Sequence, residues 1–340
     1  MAGLVPAIHA LALGEDVDAR HKAGHDGGGD NASHQRCISM RSASRAARPN
    51  IHLQGWLLAL PAVVLLVTFT HIPAISTVID SLFSTPHGRQ AARFLGLGQY
   101  RTMLADPIFW RAFDNNLVYA LITVPVAIAL ALAMALWVNT GIKGRAALRL
   151  AFFTPTILPM VAAANIWLFF YTPGYGLLDQ IDRLFGFAGP NWLGDPATAL
   201  PALMAVTVWK EAGFFMIFFL AALQQVPPDL YEAARMENAG RWQIFRRITW
   251  PLLMPTTLFV AVNALINAFR IVDQVIAMTG GINGGGPDNA TMLLLFYIYQ
   301  VAFSFWDTGY AAALSTVLLT VLGITALAQF FLLDRRIHYR

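Results

Sequence analysis

Six apolar segments constrain this chain more than any other feature, because each is long enough to cross the ~30 Å hydrocarbon layer of a bilayer. They occupy residues 56–79, 116–138, 148–171, 199–223, 251–278 and 311–333. Lipid offers no hydrogen bonds, so a chain of this kind has to satisfy its backbone internally, and separate apolar runs do so as helices. The expected fold class is therefore all-α, an integral membrane protein with six transmembrane helices. A composition of 57% hydrophobic and 12% charged residues excludes an ordinary soluble domain. A seventh apolar stretch, residues 292–303, is too short to span and suits an interfacial or re-entrant helix.

Lys and Arg set the orientation. One set of flanks holds fourteen of them: Arg36, Arg41, Arg45, Arg48, Lys143, Arg145, Arg149, Arg235, Arg241, Arg246, Arg247, Arg335, Arg336 and Arg340. The opposite loops hold five, Arg89, Arg93, Arg101, Arg111 and Arg183. The positive-inside rule places both termini and the loop around Glu232 in the cytoplasm. That asymmetry also accounts for a pI near 9.4 without nucleic acid as a partner. Residues 1–50 carry Gly27-Gly28-Gly29, scattered charge and no long apolar run, and read as a disordered tail ahead of a membrane domain at 51–340. Within the tail, His21, His25, His34 and Cys37 lie in a Gly-rich polar tract and read as flexible chain rather than as a zinc site. Met40, before a basic stretch, is a candidate natural start, which would leave residues 1–39 untranslated. The single cysteine excludes an intrachain disulfide.

The most informative loop is residues 227–255, PPDLYEAARMENAGRWQIFRRITWPLLMP. Pro227 and Pro228 lead into a short helix with Asp229 as N-cap and Glu232 in capping-box position. Asn238 and Gly240 then predict a left-handed turn, followed by a short basic helix over residues 241–248. Ala233, Ala234, Ala239 and Gly240 are small enough for another protein to approach, and Glu232, Arg241, Arg246 and Arg247 supply charge for docking. The stretch resembles the EAA loop of ABC-importer permeases, whose pattern is Glu-Ala-Ala, three residues, Gly, nine residues, Ile, one residue, Leu-Pro. Glu232, Ala233, Ala234, Ile248 and Pro251 match it. Asn238 stands for the Gly and preserves the turn, and Trp250 stands for the Leu and preserves an apolar contact.

The resemblance continues over most of the chain after about residue 52 and narrows to the carbohydrate-uptake branch. It rests on Phe94-Leu95-Gly96-Leu97, Gln99-Tyr100-Arg101, Asp106-Pro107, Asn191-Trp192-Leu193-Gly194-Asp195-Pro196, Trp209-Lys210, Gly213-Phe214, and the glycines at 280–281 and 284–286 before Pro287, split here by Ile282-Asn283. It implies the type I importer permease fold with a cytoplasmic coupling helix in the loop. The implied partners are two ABC ATPase subunits, a second permease subunit that differs from this one, and a periplasmic or extracellular solute-binding protein, in the bacterial inner membrane. The implied cargo is a sugar or sugar-like polyol. A phosphorylated polyol, a polyamine and an amino acid stay open, since permeases for other solutes share the loop.

Polar residues inside the spans are the candidates for a solute route, because they are costly unless they face protein or water. At 100° per residue, Asn263, Asn267, Arg270 and Gln274 make a narrow polar stripe on the fifth span, and Asp273 is placed to pair with Arg270. The stripe reads as a face toward a hydrated pathway or as interhelical glue. Lys210 and Glu211, adjacent in the fourth span, read equally as pathway lining or as structural ion partners. Pro155 and Pro159 predict a kink in the third span, and Asn165, Tyr171 and Tyr175 are weaker pathway candidates. The sequence contains no G-x-x-x-x-G-K-[ST], so the chain has to borrow its energy source. No cofactor or metal site is expected, and Asp179-x-x-Asp182 lacks the second acidic cluster a metal-dependent enzyme would need. A secondary transporter would predict an internal repeat and ion-coupling acids, and no convincing repeat is visible.

Overall fold

Prolines and asparagines decide where the apolar segments become helices and where those helices stop. The computed structural model describes residues 51–86, 91–140, 143–186, 189–280 and 284–334. The expected tail at 1–50, Arg89, the Ile282-Asn283 insertion and the basic Arg335, Arg336 and Arg340 lie outside the described residues.

Contacts divide the chain into two units at Val64 and Leu65. The described part of the first belongs to α1 (Ile51–Leu66), whose side chains from Trp56 to Val64 are exposed, as on a helix bathed in lipid. A π-helical turn at Val67–His71 follows α1, and then α2 (Ile72–Asp80).

The second unit holds α3 (Gly98–Ala105), α4 (Pro107–Val138), α5 (Arg145–Ile157), α6 (Met160–Tyr171), α7 (Leu177–Leu184), α8 (Pro196–Gln225), α9 (Pro228–Met236) and α10 (Arg241–Ile244). After a π-helical turn at Phe245–Thr249 come α11 (Trp250–Phe269), α12 (Asp273–Met278), α13 (Leu294–Tyr299) and α14 (Thr308–Asp334). Among the described residues the only β pairing is one bridge between Phe83 and Phe94. Two long helices begin alike: Asp106 accepts from the Ile108 amide at 2.8 Å and Asp195 from the Ala197 amide at 2.9 Å, each with proline at the first helical position.

Five helical stretches are long and apolar enough to span: Gly55–Asp80, Pro107–Val138, Pro196–Gln225, Arg241–Phe269 and Thr308–Gln329. The third span in chain order is the pair α5 and α6, bent by 100°. This is far more than the expected kink. Pro159 has no amide to give the Pro155 carbonyl and pushes the preceding residue out of the helical region, so Leu158 is extended at ψ 134°. The fifth span also departs from expectation. Its helix stops at Phe269, Arg270 sits at φ −101°, ψ 10°, and α12 starts afresh at Asp273.

Packing centres on α4 and α8, with α11 against both. Ala127, Ala131 and Ala135 form a small-residue stripe on α4 that lets Phe215, Phe219 and Leu223 of α8 close in. Toward the other end Tyr119, Leu203, Phe269, Val275, Leu293 and Leu314 fill a second core. Two adjacent asparagines on α4 fasten the short elements to it. Asn115 donates to the carbonyls of Asn289 and Met292 at 2.9 and 3.0 Å, and Asn116 accepts from the Leu294 amide and donates to the Ala268 carbonyl near the end of α11. Residues 292–303, expected as interfacial or re-entrant, are thereby tied into protein, with Leu294, Phe296, Tyr297 and Ile298 buried.

Asp106 ties the ends of several helices together. Its carboxylate accepts from the hydroxyls of Tyr297 and of Tyr310, the latter at 2.7 Å. Burial alone would raise its pKa, but these hydroxyls and the amides of Ile108 and Phe109 outweigh burial and hold the carboxyl below its ordinary range.

Candidate functional site

The two broken helices meet at one place. A cavity of about 420 Å³ is lined by Thr156 at the end of α5, Met160 at the start of α6, Thr207, Lys210, Glu211 and Phe214 of α8, Asn267 of α11, and the segment from Arg270 to Gln274. Lys210 lies about 21 Å from the start of α8, close to half of that helix's ~45 Å length. The cavity therefore sits near the middle of that span. Irregular backbone is tolerated at that depth only where it is enclosed by protein or faces water.

The sequence predicts Asn263, Asn267, Arg270 and Gln274 in one stripe on one continuous helix. Because α11 ends at Phe269, the stripe does not exist as such. The cavity nevertheless gathers Asn267, Arg270, Asp273 and Gln274 with Lys210 and Glu211, and it leaves out Asn263, whose amide donates to the Phe259 carbonyl of its own helix at 2.8 Å.

The six are not equivalent. Gln274 is fully buried: it donates to the Leu203 carbonyl at 2.7 Å and accepts from Thr207 at 2.8 Å, and Thr207 in turn accepts from Tyr119. That is interhelical glue. Lys210 and Thr156 clasp one another, Nζ donating to the Thr156 carbonyl at 3.2 Å and the Thr156 hydroxyl to the Lys210 carbonyl at 3.1 Å. A cation thus caps the C-terminal end of α5, where the macrodipole is negative. Gly213, one turn on, is what permits this approach, since a Cβ there would meet the Phe152 carbonyl oxygen at 2.0 Å. Glu211 of α8 and Asn267 of α11 line the cavity together. Arg270 and Asp273 remain exposed to the cavity and do not pair; the ion pair among the described residues is Arg183 with Asp179, at 2.9 Å. The expected Arg270–Asp273 pair fails because the break after Phe269 abolishes the one-turn helical spacing on which it depended.

Thr156 and Thr207 were missed as cavity residues. A lone threonine in an apolar span carries little signal, although Thr156 is flanked by Pro155 and Pro159, where freed carbonyls call for partners. Asn165 bonds to the Val161 carbonyl within its own helix, and Tyr171 donates to the Ala202 carbonyl, so neither lines the cavity.

The second site is the loop carrying Glu232. Its helix begins at Pro228 with Pro227 in the N-cap place, so Asp229 lies in the first turn rather than capping it. The exit is a Schellman motif: Asn238 sits at φ 58°, the Ala239 amide bonds the Ala234 carbonyl, and the Asn238 amide bonds the Arg235 carbonyl, each at 3.0 Å. Asparagine thus does the conformational work of the glycine it replaces. The expected short basic helix is continuous with the fifth span, through α10 and the π-helical turn, up to Phe269. Glu232, Ala233 and Gly240 are exposed, while Ile248 is half-buried and Pro251 opens α11. Ala234 is only 8% exposed, so its small size serves the loop's own packing and not the approach of a partner. Exposed Met236 and Trp242 add apolar surface beside Glu232.

Comparison with known proteins gives the family and the fold. The family described as binding-protein-dependent transport system inner membrane component matches residues 124–339. The sulfoquinovosyl glycerol transport system permease protein SmoG of Agrobacterium fabrum is 35% identical over 263 residues, covering 77% of this chain and 84% of that one. The lactose transport system permease protein LacF of Rhizobium radiobacter is 30% identical over 298 residues, covering 86% and 98%. Among solved structures, a chain of a bacterial alginate ABC transporter bound to an alginate pentasaccharide-bound periplasmic protein superposes with a TM-score of 0.73 at 22% identity, over 83% of this chain and 94% of that one. With its spans, broken helices and Glu232 loop accounted for, the chain belongs to the family of binding-protein-dependent transport system inner membrane components, as a multi-pass permease of the inner membrane.

Proposed function

We propose that this chain forms half of the translocation pathway of an ATP-driven importer for a sugar or sugar-like polyol. A different permease subunit completes the pathway, and an external solute-binding protein delivers the cargo. Two separate ATPase subunits supply the energy, since the chain has no phosphate-cradling loop of its own. The Glu232 loop, Ala233 and Gly240 form the surface these ATPases engage, on the cytoplasmic side with both termini.

One observation carries the sugar reading: a mid-span cavity where two broken helices meet, lined by two cations and two carboxylates. Such a site sets two basic side chains against two acidic ones and offers both donors and acceptors. Arg270 and Asp273, free of each other, are suited to donate to and accept from neighbouring hydroxyls of one ring. Two relatives, named for transport of sulfoquinovosyl glycerol and of lactose, support a sugar cargo.

The test is uptake in proteoliposomes with the partner subunits and binding protein, over a panel of neutral sugars, polyols and phosphorylated polyols. Removing one charge-assisted hydrogen bond costs about 1.5–3 kcal/mol, so Arg270→Ala should raise the half-saturating concentration for a neutral sugar by roughly 10- to 100-fold with assembly intact. Loss of assembly in that variant would return Arg270 to a structural role. Uptake confined to phosphorylated polyols would overturn the neutral-sugar assignment.

A further inference from the structure

Between the α5–α6 pair and α8 lies a helix that the transport reading does not use. α7 is amphipathic over its whole length. At 100° per residue Leu184, Leu177 and Ile181 fall within about 60° of one another, with Phe185 continuing the same side. Leu178, at the edge of this stripe, packs into the core, so α7 is docked and its other apolar residues point away from the protein. Leu184 is 85% exposed and Phe185 74%. The opposite face carries Asp179, Asp182 and Arg183, with Arg183 paired to Asp179 at 2.9 Å, and Gln180 at the margin donates to the Tyr175 carbonyl at 2.8 Å.

The geometry points to α7 as a helix that lies flat in the membrane interface, its Leu177–Ile181–Leu184 stripe in the acyl boundary of the leaflet opposite the Glu232 loop. Depth supports this, because α7 starts six residues after Tyr171 ends α6 and lies ahead of α8, so it sits at the level where two spans leave the bilayer. Continuity supports it too. The exposed apolar side of α6, Ile166 and Phe169, runs through the ring contact of Phe169 with exposed Tyr175, at 6.1 Å, onto the start of α7. Tyrosine at that point is the residue an interface favours. A transient soluble partner is a poor occupant, since it would leave four large apolar side chains in water between encounters. Lipid covers them at all times.

The experiment uses the full chain, assembled with its partner subunits in nanodiscs, on a Cys37→Ser background. Spin labels at Leu184→Cys and Arg183→Cys report collision with oxygen, which partitions into lipid, and with a neutral nickel chelate, which stays in water. Both positions are exposed, so labelling is expected to leave the fold intact. The expected result is oxygen access several-fold above nickel access at 184 and the reverse at 183. Nickel access at both positions would overturn the proposal in favour of a water-facing helix. Shielding of position 184 from both reagents would overturn it in favour of a protein partner.

Discussion

Gly213→Ala should loosen the clasp that shapes the cavity. The new Cβ would stand 2.0 Å from the Phe152 carbonyl oxygen and 3.0 Å from its carbon. An ordinary C···O contact is about 3.3 Å, so α5 has to retreat by roughly 1.3 Å. The two Lys210–Thr156 bonds, at 3.2 and 3.1 Å, do not survive such a shift. Their net loss at about 0.5–1.5 kcal/mol each, with an overpacking penalty of about 1–3 kcal/mol, is partly offset by the ~1 kcal/mol helix preference of Ala over Gly. The balance is a destabilisation of about 3 kcal/mol, or a fall of roughly 6–12 °C in melting temperature for a unit of this size. Tryptophan fluorescence during thermal unfolding in detergent measures it. Gly323→Ala in α14 is the matched control, because nothing lies within 4 Å of its Cβ and the substitution should leave stability unchanged or raise it by about 1 kcal/mol. If both variants melt with the wild type, the close approach of α5 to α8 at Gly213 is wrong.

The two alanines of the Glu232 loop should separate cleanly. Ala234→Leu overpacks a buried site and should cost about 1–3 kcal/mol, whereas Ala233→Leu on the exposed side should stay within ~0.5 kcal/mol while abolishing ATP-driven uptake; equal melting temperatures would contradict the burial argument. Asp106→Asn tests the tyrosine knot by its pH dependence. A carboxyl held below its ordinary range stabilises the fold above the unfolded pKa, near 4, and loses that contribution as pH falls through the lower folded value. The melting difference between wild type and Asp106→Asn should therefore be constant from about pH 5 to 8 and shrink below about pH 4. A difference that instead grows in acid would reverse the sign of the shift.

Long apolar runs are legible in sequence because length alone fixes what they can do in lipid, and the Asp-Pro starts of α4 and α8 and the Asn238 turn are local signals that no tertiary contact overrides. The breaks were harder. Pro159 announced a bend but not its 100°, because the angle depends on where α6 finds packing against α12. The end of α11 at Phe269 has no proline or glycine to mark it. It is stabilised from outside, by Asn116 reaching the Ala268 carbonyl across 152 positions of sequence. That is why a stripe drawn on an unbroken helix takes in Asn263, which the cavity leaves out. The same non-local cause explains Gln274, which looks like pathway lining in the sequence and is held by Leu203 and Thr207 in the fold. Burial of Ala234 was equally invisible, since nothing in Glu-Ala-Ala says which alanine faces inward.

The central claim, that the Glu232 loop couples this permease to a separate ATPase, is tested most directly by its company. The tagged chain would be extracted from native membranes in mild detergent and its co-purifying proteins identified, with and without cross-linking through Ala233→Cys on the Cys37→Ser background. The account predicts an ATPase that cross-links at position 233, together with a second permease. A chain that emerges alone, with no ATPase even after cross-linking, would contradict it.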